Sequence, residues 1–252
     1  MRFRLKAFGL HLLGSATVLA LMLGGLYLGW YRWPGWYLTE VVHVAAILAG
    51  VDLTLGPLLT LMIANPSKPR RELARDIAVI VVVQLVALIY GVGTLWYGRP
   101  LYYTFCNDKV ELVQASELQA AEIELARKEN PDFAPHWYSL PRWIWVAGPT
   151  DPIEGARIAI AAVTGNGPDL VQMPRYFKPW AQGLPGLRKQ LKSVDQLRIF
   201  SKGQQQALKD RMARSGLPTN QSSTLLLTGK SLRALAVFDL ETLQIKSILP
   251  VD

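Results

Sequence analysis

The chain has 252 residues, a net charge of +8 and 50% hydrophobic residues, with one cysteine and three histidines. Cys106 alone can close no internal disulfide, and redox or metal motifs built on paired cysteines are excluded. With no glycine-rich phosphate loop, no acidic metal cluster and no triad signature, a conventional hydrolase or nucleotide enzyme is unsupported, and neither catalysis nor a cofactor is expected.

Apolar residues crowd the start of the chain. Runs at about 7–31, 41–64 and 77–97 each reach the ~20 residues needed to cross a ~30 Å hydrocarbon core. The first is too long for a signal-peptide core and has no small-x-small cleavage site followed by polar chain, so it reads as an anchor. It also lacks the early Glu of a pilin subunit. Beyond Arg99 no such run recurs, and charges alternate with turn formers. The predicted fold is therefore a membrane protein: three transmembrane α-helices in residues 1–98, followed by an extracytoplasmic α+β domain in 99–252, with Arg99 and Pro100 at the junction.

The second span contains "GVDLTLGPLLT", residues 50–60, which sets Asp52 about halfway through it. A carboxyl at that depth costs a few kcal/mol and is expected to face other helices and hold a partner. A helical period of about 3.6 residues puts Asp52, Gly56 and Thr60 on one face. Gly56, one turn from the acid, permits close approach of a neighbouring helix. Pro57 has no amide hydrogen and crowds the carbonyl of Leu53, which predicts a kink and a freed backbone acceptor. Gln84 and Tyr90 of the third span are the expected donors, Tyr90 the nearer in depth, with Ser15 and Thr17 of the first span in range. Packing glue, a docking surface for another protein's transmembrane helix, and a proton or ion path are all open for this seam, although a path lacks a second intramembrane acid.

Orientation follows from the basic residues. Arg2, Arg4 and Lys6 precede the first span, and Lys68, Arg70, Arg71 and Arg75 fill the loop after the second, against Arg32 alone in the loop between. Both clusters are cytoplasmic only if the amino terminus is inside, which puts the domain after Arg99 in the periplasm of a Gram-negative cell. Trp30, Trp33, Trp36, Tyr37, Trp96 and Tyr97 then share the outer interface, where aromatic rings are favoured. His11 and His43 fall near opposite faces, on the order of 25 Å apart in depth, too far to share a haem iron. His136 sits in a Pro-rich aromatic loop.

In the second part, "PLYYTFCNDKVELV" reads as a hairpin turning at Asn107–Lys109. A helix is expected from a Ser116 cap to about Lys128, a strand at "RWIWVAG", and a helix capped by Asp151, with Pro152 at its first position, ending at Gly165. Two further helices are expected between Gly186 and Ser215, and three strands at the end with a turn at "DLETL". The stretch 186–215 carries Arg188, Lys189, Lys192, Arg198, Lys202, Lys209, Arg211 and Arg214 against Asp195 and Asp210. A solvated face, or contact with anionic lipid or an acidic protein, is favoured over nucleic acid, which is not an expected partner.

"KAFGLHLLGS", "GVDLTLGPLLTL", "NPSK" and "RELARDIAVIVVVQLVALIYGVGTLWYGRPLYYTF" together resemble the TfpX/TfpZ-type family of type IV pilin accessory proteins, densely over residues 6–118 and again in "ALAVFDLETLQIKSILPVD". Asp52, Leu55, Gly56, Pro57, Leu58, Asp76, Gln84, Tyr90, Gly91, Arg99 and Pro100 fall on the family pattern. "WPGWYL" departs from its Pro-Gly-Pro-like turn, and "CNDKVEL" from its Asp-Arg-Phe-like segment. The resemblance implies a non-enzymatic, chaperone-like inner-membrane factor that helps its cognate major pilin reach the fibre, with the pilin and other inner-membrane assembly proteins as partners. The alternative is a membrane-anchored sensor with a periplasmic ligand-binding domain, which the small cytoplasmic segments disfavour.

Overall fold

A computed structural model describes residues 1–217 and 222–251; Asp252, the last residue of the expected closing strand, lies outside them. Two compact units are present, Met1–Gly98 and Arg99–Asp252.

The first unit holds three helices long and apolar enough to cross a membrane. They are α1 (Arg2–Gly29), a second span that begins as α3 (Val41–Gly50) and ends as α4 (Gly56–Ile63), and α5 (Arg70–Tyr97); a single turn, α2 (Gly35–Leu38), links the first two. Their packing is apolar at mid-length, where Leu19, Leu48 and Leu88 meet. Gly91 lets α5 approach α3 closely: a Cβ there would lie 2.7 Å from Cδ1 of Leu48. At one end the aromatic residues gather. Trp30 meets Trp96 edge-on at 4.8 Å, Trp33 packs on Trp36, and the buried Tyr31 donates to the Leu95 carbonyl at 2.6 Å.

The second unit is built on a seven-stranded mixed sheet of order β4-β3-β1-β2-β5-β6-β7. The strands are β1 (Pro100–Cys106), β2 (Lys109–Gln114), β3 (Arg142–Val146), β4 (Phe177–Pro179), β5 (Ser222–Thr228), β6 (Arg233–Asp239) and β7 (Ile245–Pro250). The expected β1–β2 hairpin forms, with Asn107 at φ 55°, a conformation Asn accepts readily. β1 runs parallel to β3, and β2 to β5; the other neighbours are antiparallel. Every residue of β1 is buried, as a central strand covered on both faces requires.

Helices α6 (Ala120–Glu129), α7 (Pro152–Val163), α8 (Trp180–Gln190) and α9 (Lys202–Arg214) complete the unit. One face of the sheet contributes Tyr102, Cys106, Ile144 and Val146 to a core with Leu118, Val171 and Phe177. Further along the sheet, Leu235, Val237 and Leu249 pack with Leu208 and Met212 of α9. Tyr103, Phe105 and Trp143 lie with Trp180 at the start of α8. Arg175 bridges α6 and α7, 3.4 Å from Glu122 and 3.8 Å from Glu154, and the Tyr176 hydroxyl donates to Glu154 at 2.6 Å.

Two boundaries and one strand differ from expectation. Ser116 caps no helix. Residues Ala115–Glu117 form a 3-10 turn closed by Glu117, which accepts from the Gln114 amide at 2.7 Å, and extended Leu118 buries in the core before α6 begins. Helix α8 starts at Trp180, ahead of the expected Gly186, and carries Pro185 inside it. Strand β4 was not expected. By contrast, Asp151 does cap α7, accepting from the Ile153 amide at 2.9 Å, and the chain leaves that helix through Gly165 at φ 70°.

Candidate functional site

The second span is irregular where its sequence is. Between α3 and α4, residues Val51–Leu55 form a π-helical turn, a widening often found at functional sites. In that register a carbonyl looks to the amide five residues on; for Asp52 this is Pro57, which has none. Gln84 of α5 supplies the missing donor, its Nε2 reaching the Asp52 carbonyl at 3.1 Å. The acceptor taken up across the interface is thus one residue earlier than the Leu53 carbonyl that a regular α register would free. Pro57 itself is buried in the first turn of α4, so the irregular turn lies just before it.

Gly56 makes the Gln84 contact possible. A Cβ on it would fall 2.0 Å from Nε2 and 2.2 Å from Cδ of Gln84, inside the amide itself. The other end of that amide is held as well: Gln84 Oε1 lies 2.6 Å from His11 Nε2, and His11 Nδ1 lies 2.6 Å from Thr60 Oγ1. Since Gln84 Oε1 can only accept, His11 Nε2 carries the hydrogen. The other ring nitrogen, Nδ1, is held by the Thr60 hydroxyl. A chain results, Thr60 to His11 to Gln84 to the Asp52 carbonyl, and it ties all three spans together.

Asp52 is only 4% exposed and Thr60 2%. The Asp52 Oδ1 atom has no hydrogen-bond partner among the described residues. The carboxyl lines a cleft of about 400 Å³ bounded by Gly14 and Ser15 of α1, Thr60 of α4, and Val81 and Gln84 of α5. Ser15 lines this cleft without bonding to Asp52, and Thr17 bonds back to the Leu13 carbonyl of its own helix at 2.8 Å.

Five of the expected seam residues, Asp52, Gly56, Pro57, Thr60 and Gln84, thus come together, and one does not. Tyr90 is 78% exposed on the outer surface of α5, away from the cleft. His11 belongs to the seam and carried no assigned role in the sequence. Its signal was the same as that of Asp52: a polar ring in an apolar run needs a partner. At the start of the second unit Arg99 is buried and Pro100 opens β1.

Comparison with known proteins finds relatives of the chain. No family model and no solved structure matches the chain. A fimbrial assembly protein of Dichelobacter nodosus, serogroup I, is 27% identical over 256 residues, spanning 99% of this chain and 96% of that protein. The serogroup E1 protein of the same organism is 26% identical over 257 residues, with the same coverage of 99% and 96%. The protein of serogroups C1 and C2 is 32% identical over 124 residues, 49% of this chain and 95% of its own length. The chain belongs to the type IV pilus accessory family.

In this family member the basic residues of 186–215 do not form one patch. Lys189, Lys192 and Arg198 line a groove of about 850 Å³ that also contains Asp108 and Asp195. Lys209 is paired with Asp195 at 2.5 Å, and Arg211 donates to the Pro250 carbonyl at 2.7 Å. Arg188 closes α8, while Lys202 and Arg214 stand exposed at the two ends of α9.

Proposed function

We propose that the chain serves pilus assembly as a non-enzymatic, chaperone-like factor of the bacterial inner membrane. It holds a major pilin subunit before or during transfer to the fibre, with its amino terminus in the cytoplasm and the unit after Arg99 in the periplasm. Kinship over nearly the whole chain with proteins named for fimbrial assembly supports the pathway. The observation that carries the mode of action is the cleft at Asp52. Three helices meant only to anchor a domain would pack more favourably with an apolar residue there, because a buried acid is costly unless satisfied. This bundle retains the acid, and aligns three polar side chains beside it, at the wall of a cleft.

A pilin subunit waiting in the membrane presents a single membrane helix below a globular head. The cleft would receive the helix and the sheet-based unit the head, a grip at two levels. Photoreactive residues placed singly at Ser15 and Val81, which line the cleft, and at Leu21, which faces outward, test this in a piliated host. Pilin adducts are expected from Ser15 and Val81 and not from Leu21. Adducts formed only from residues after Arg99 would remove the intramembrane half of the grip.

A further inference from the structure

The cleft is mostly apolar, yet one of its walls ends in a carboxylate oxygen with no partner. The Ser15 hydroxyl, which also lines the cleft, makes no bond to it, and the other polar groups beside it are directed elsewhere. The Thr60 hydroxyl serves His11, the His11 Nε2 hydrogen serves Gln84, and Gln84 turns its amide to the Asp52 backbone carbonyl instead of the side chain. Gly56 fixes that choice, since only a residue without a side chain leaves room for the amide there. Among the described residues lining the cleft there is no lysine or arginine, and the one imidazole, His11, is bonded to Thr60 and Gln84, not to Asp52. Buried charges in folded proteins are paired, and within a membrane they face a partner or a water-filled space.

We propose that Asp52 is the receptor for a positively charged donor, an ammonium or guanidinium group, on a transmembrane segment that enters the cleft. The inference rests on the reading above that a partner's membrane helix docks here, and it adds the chemistry by which that helix is chosen. Apolar walls accept almost any membrane helix with little discrimination, because lipid tails are as apolar as leucine. A single unpaired carboxylate discriminates strongly: a helix bearing a cation at its depth exchanges a costly exposure to lipid for a charge-assisted hydrogen bond. The chain from Thr60 to Gln84 keeps the receptor open by committing the neighbouring donors.

The test needs no pilin. The full-length chain, with a photoreactive residue at Ser15, is reconstituted in vesicles with one of three synthetic transmembrane peptides. All three have the same leucine-alanine sequence, with Lys, Gln or Leu at the depth of Asp52. The Lys peptide is expected to associate about tenfold more tightly than either twin, a difference of roughly 1.4 kcal/mol. That preference should vanish in Asp52→Asn, which keeps the shape and loses the charge. Equal capture of all three peptides by the wild-type chain, capture of Gln as strong as that of Lys, or a Lys preference that survives Asp52→Asn would each overturn the proposal. Because wild-type capture alone decides the first two outcomes, misfolding of the variant cannot imitate them. A failure here leaves the pilin reading standing, since that reading is judged by pilin adducts and surface pilin.

Discussion

Gly56→Ala isolates the seam from the rest of the bundle. The added Cβ would fall 2.0 Å from Gln84 Nε2, so the Gln84 side chain must swing away. That movement alone is easy for a flexible side chain, and the cost lies in what the amide holds. Two hydrogen bonds go, one at 3.1 Å to the Asp52 carbonyl and one at 2.6 Å to His11. Side-chain hydrogen bonds between membrane helices average about 0.6 kcal/mol and reach ~1.7, so Gly56→Ala should destabilise the bundle by about 1–3 kcal/mol. Equilibrium unfolding of the full chain in mild detergent reads this, with Gly93→Ala as the control, because nothing lies within 4 Å of a Cβ at Gly93. The decisive comparison is a double-mutant cycle. In a Gln84→Ala background the clash partner is gone, and Gly56→Ala should cost almost nothing further. Equal effects of Gly56→Ala and Gly93→Ala, or additive costs in the cycle, would refute this account of the seam.

Other sites give independent expectations. Gly183→Ala would set a Cβ 2.6 Å from Cγ of Trp145, jamming α8 against β3; thermal unfolding followed by tryptophan fluorescence should show a loss of about 1–3 kcal/mol. Gly203→Ala, in open space on α9, should gain up to about 1 kcal/mol in the same assay. Burial, reinforced by the Asp169 and Glu111 carboxylates, pushes the Cys106 thiol up to about 11. Maleimide should therefore label the native protein slowly at pH 7 and the denatured protein quickly. In the β6–β7 turn, the Thr242 amide, then the Thr242 hydroxyl and the Glu241 amide, hold the Asp239 carboxyl below its ordinary 3.8. Its contribution to the turn is present above that ordinary value and is lost as pH falls from there through the lowered one. The protection of the Thr242 amide, its exchange rate taken relative to that of an unprotected amide at the same pH, should fall over that window in the wild type and be low throughout in Asp239→Ala.

Much of this was legible from simple periodicities. Apolar length alone marks the three spans, because a bilayer admits few other solutions. Asp52, Gly56 and Thr60 fall together because they are four residues apart on one helix. The choice between Gln84 and Tyr90 turned on rotation, not depth. Gln84 continues the stripe Leu88, Gly91 and Leu95, all buried in the bundle, whereas Tyr90 lies about 120° from Gln84 around α5. Counting residues from the membrane edge ignores that angle. The π turn was not legible, since it depends on Gln84 arriving to satisfy the carbonyl that Pro57 abandons. His11 became interpretable only when α1 was set beside α4, which no local pattern specifies.

The second unit tells a similar story. Its hairpins and the Asp151 cap carry local signals, and they form where those signals lie. Local rules fail at "WAQGLPGL", where two glycines and a proline argue against helix. Contact with Trp145 overrides them, and Gly183 is the small residue that lets α8 lie on β3. Strand β4, with three residues, is too short to announce itself and exists only because β3 offers an edge.

The most direct test of the central claim is made in a piliated host. The gene is deleted, and pilin sheared from the surface is measured against total membrane pilin. Deletion should lower that ratio, wild type should restore it, and Asp52→Asn, present at the wild-type level, should not. A ratio unchanged by deletion would contradict a role in delivering pilin to the fibre.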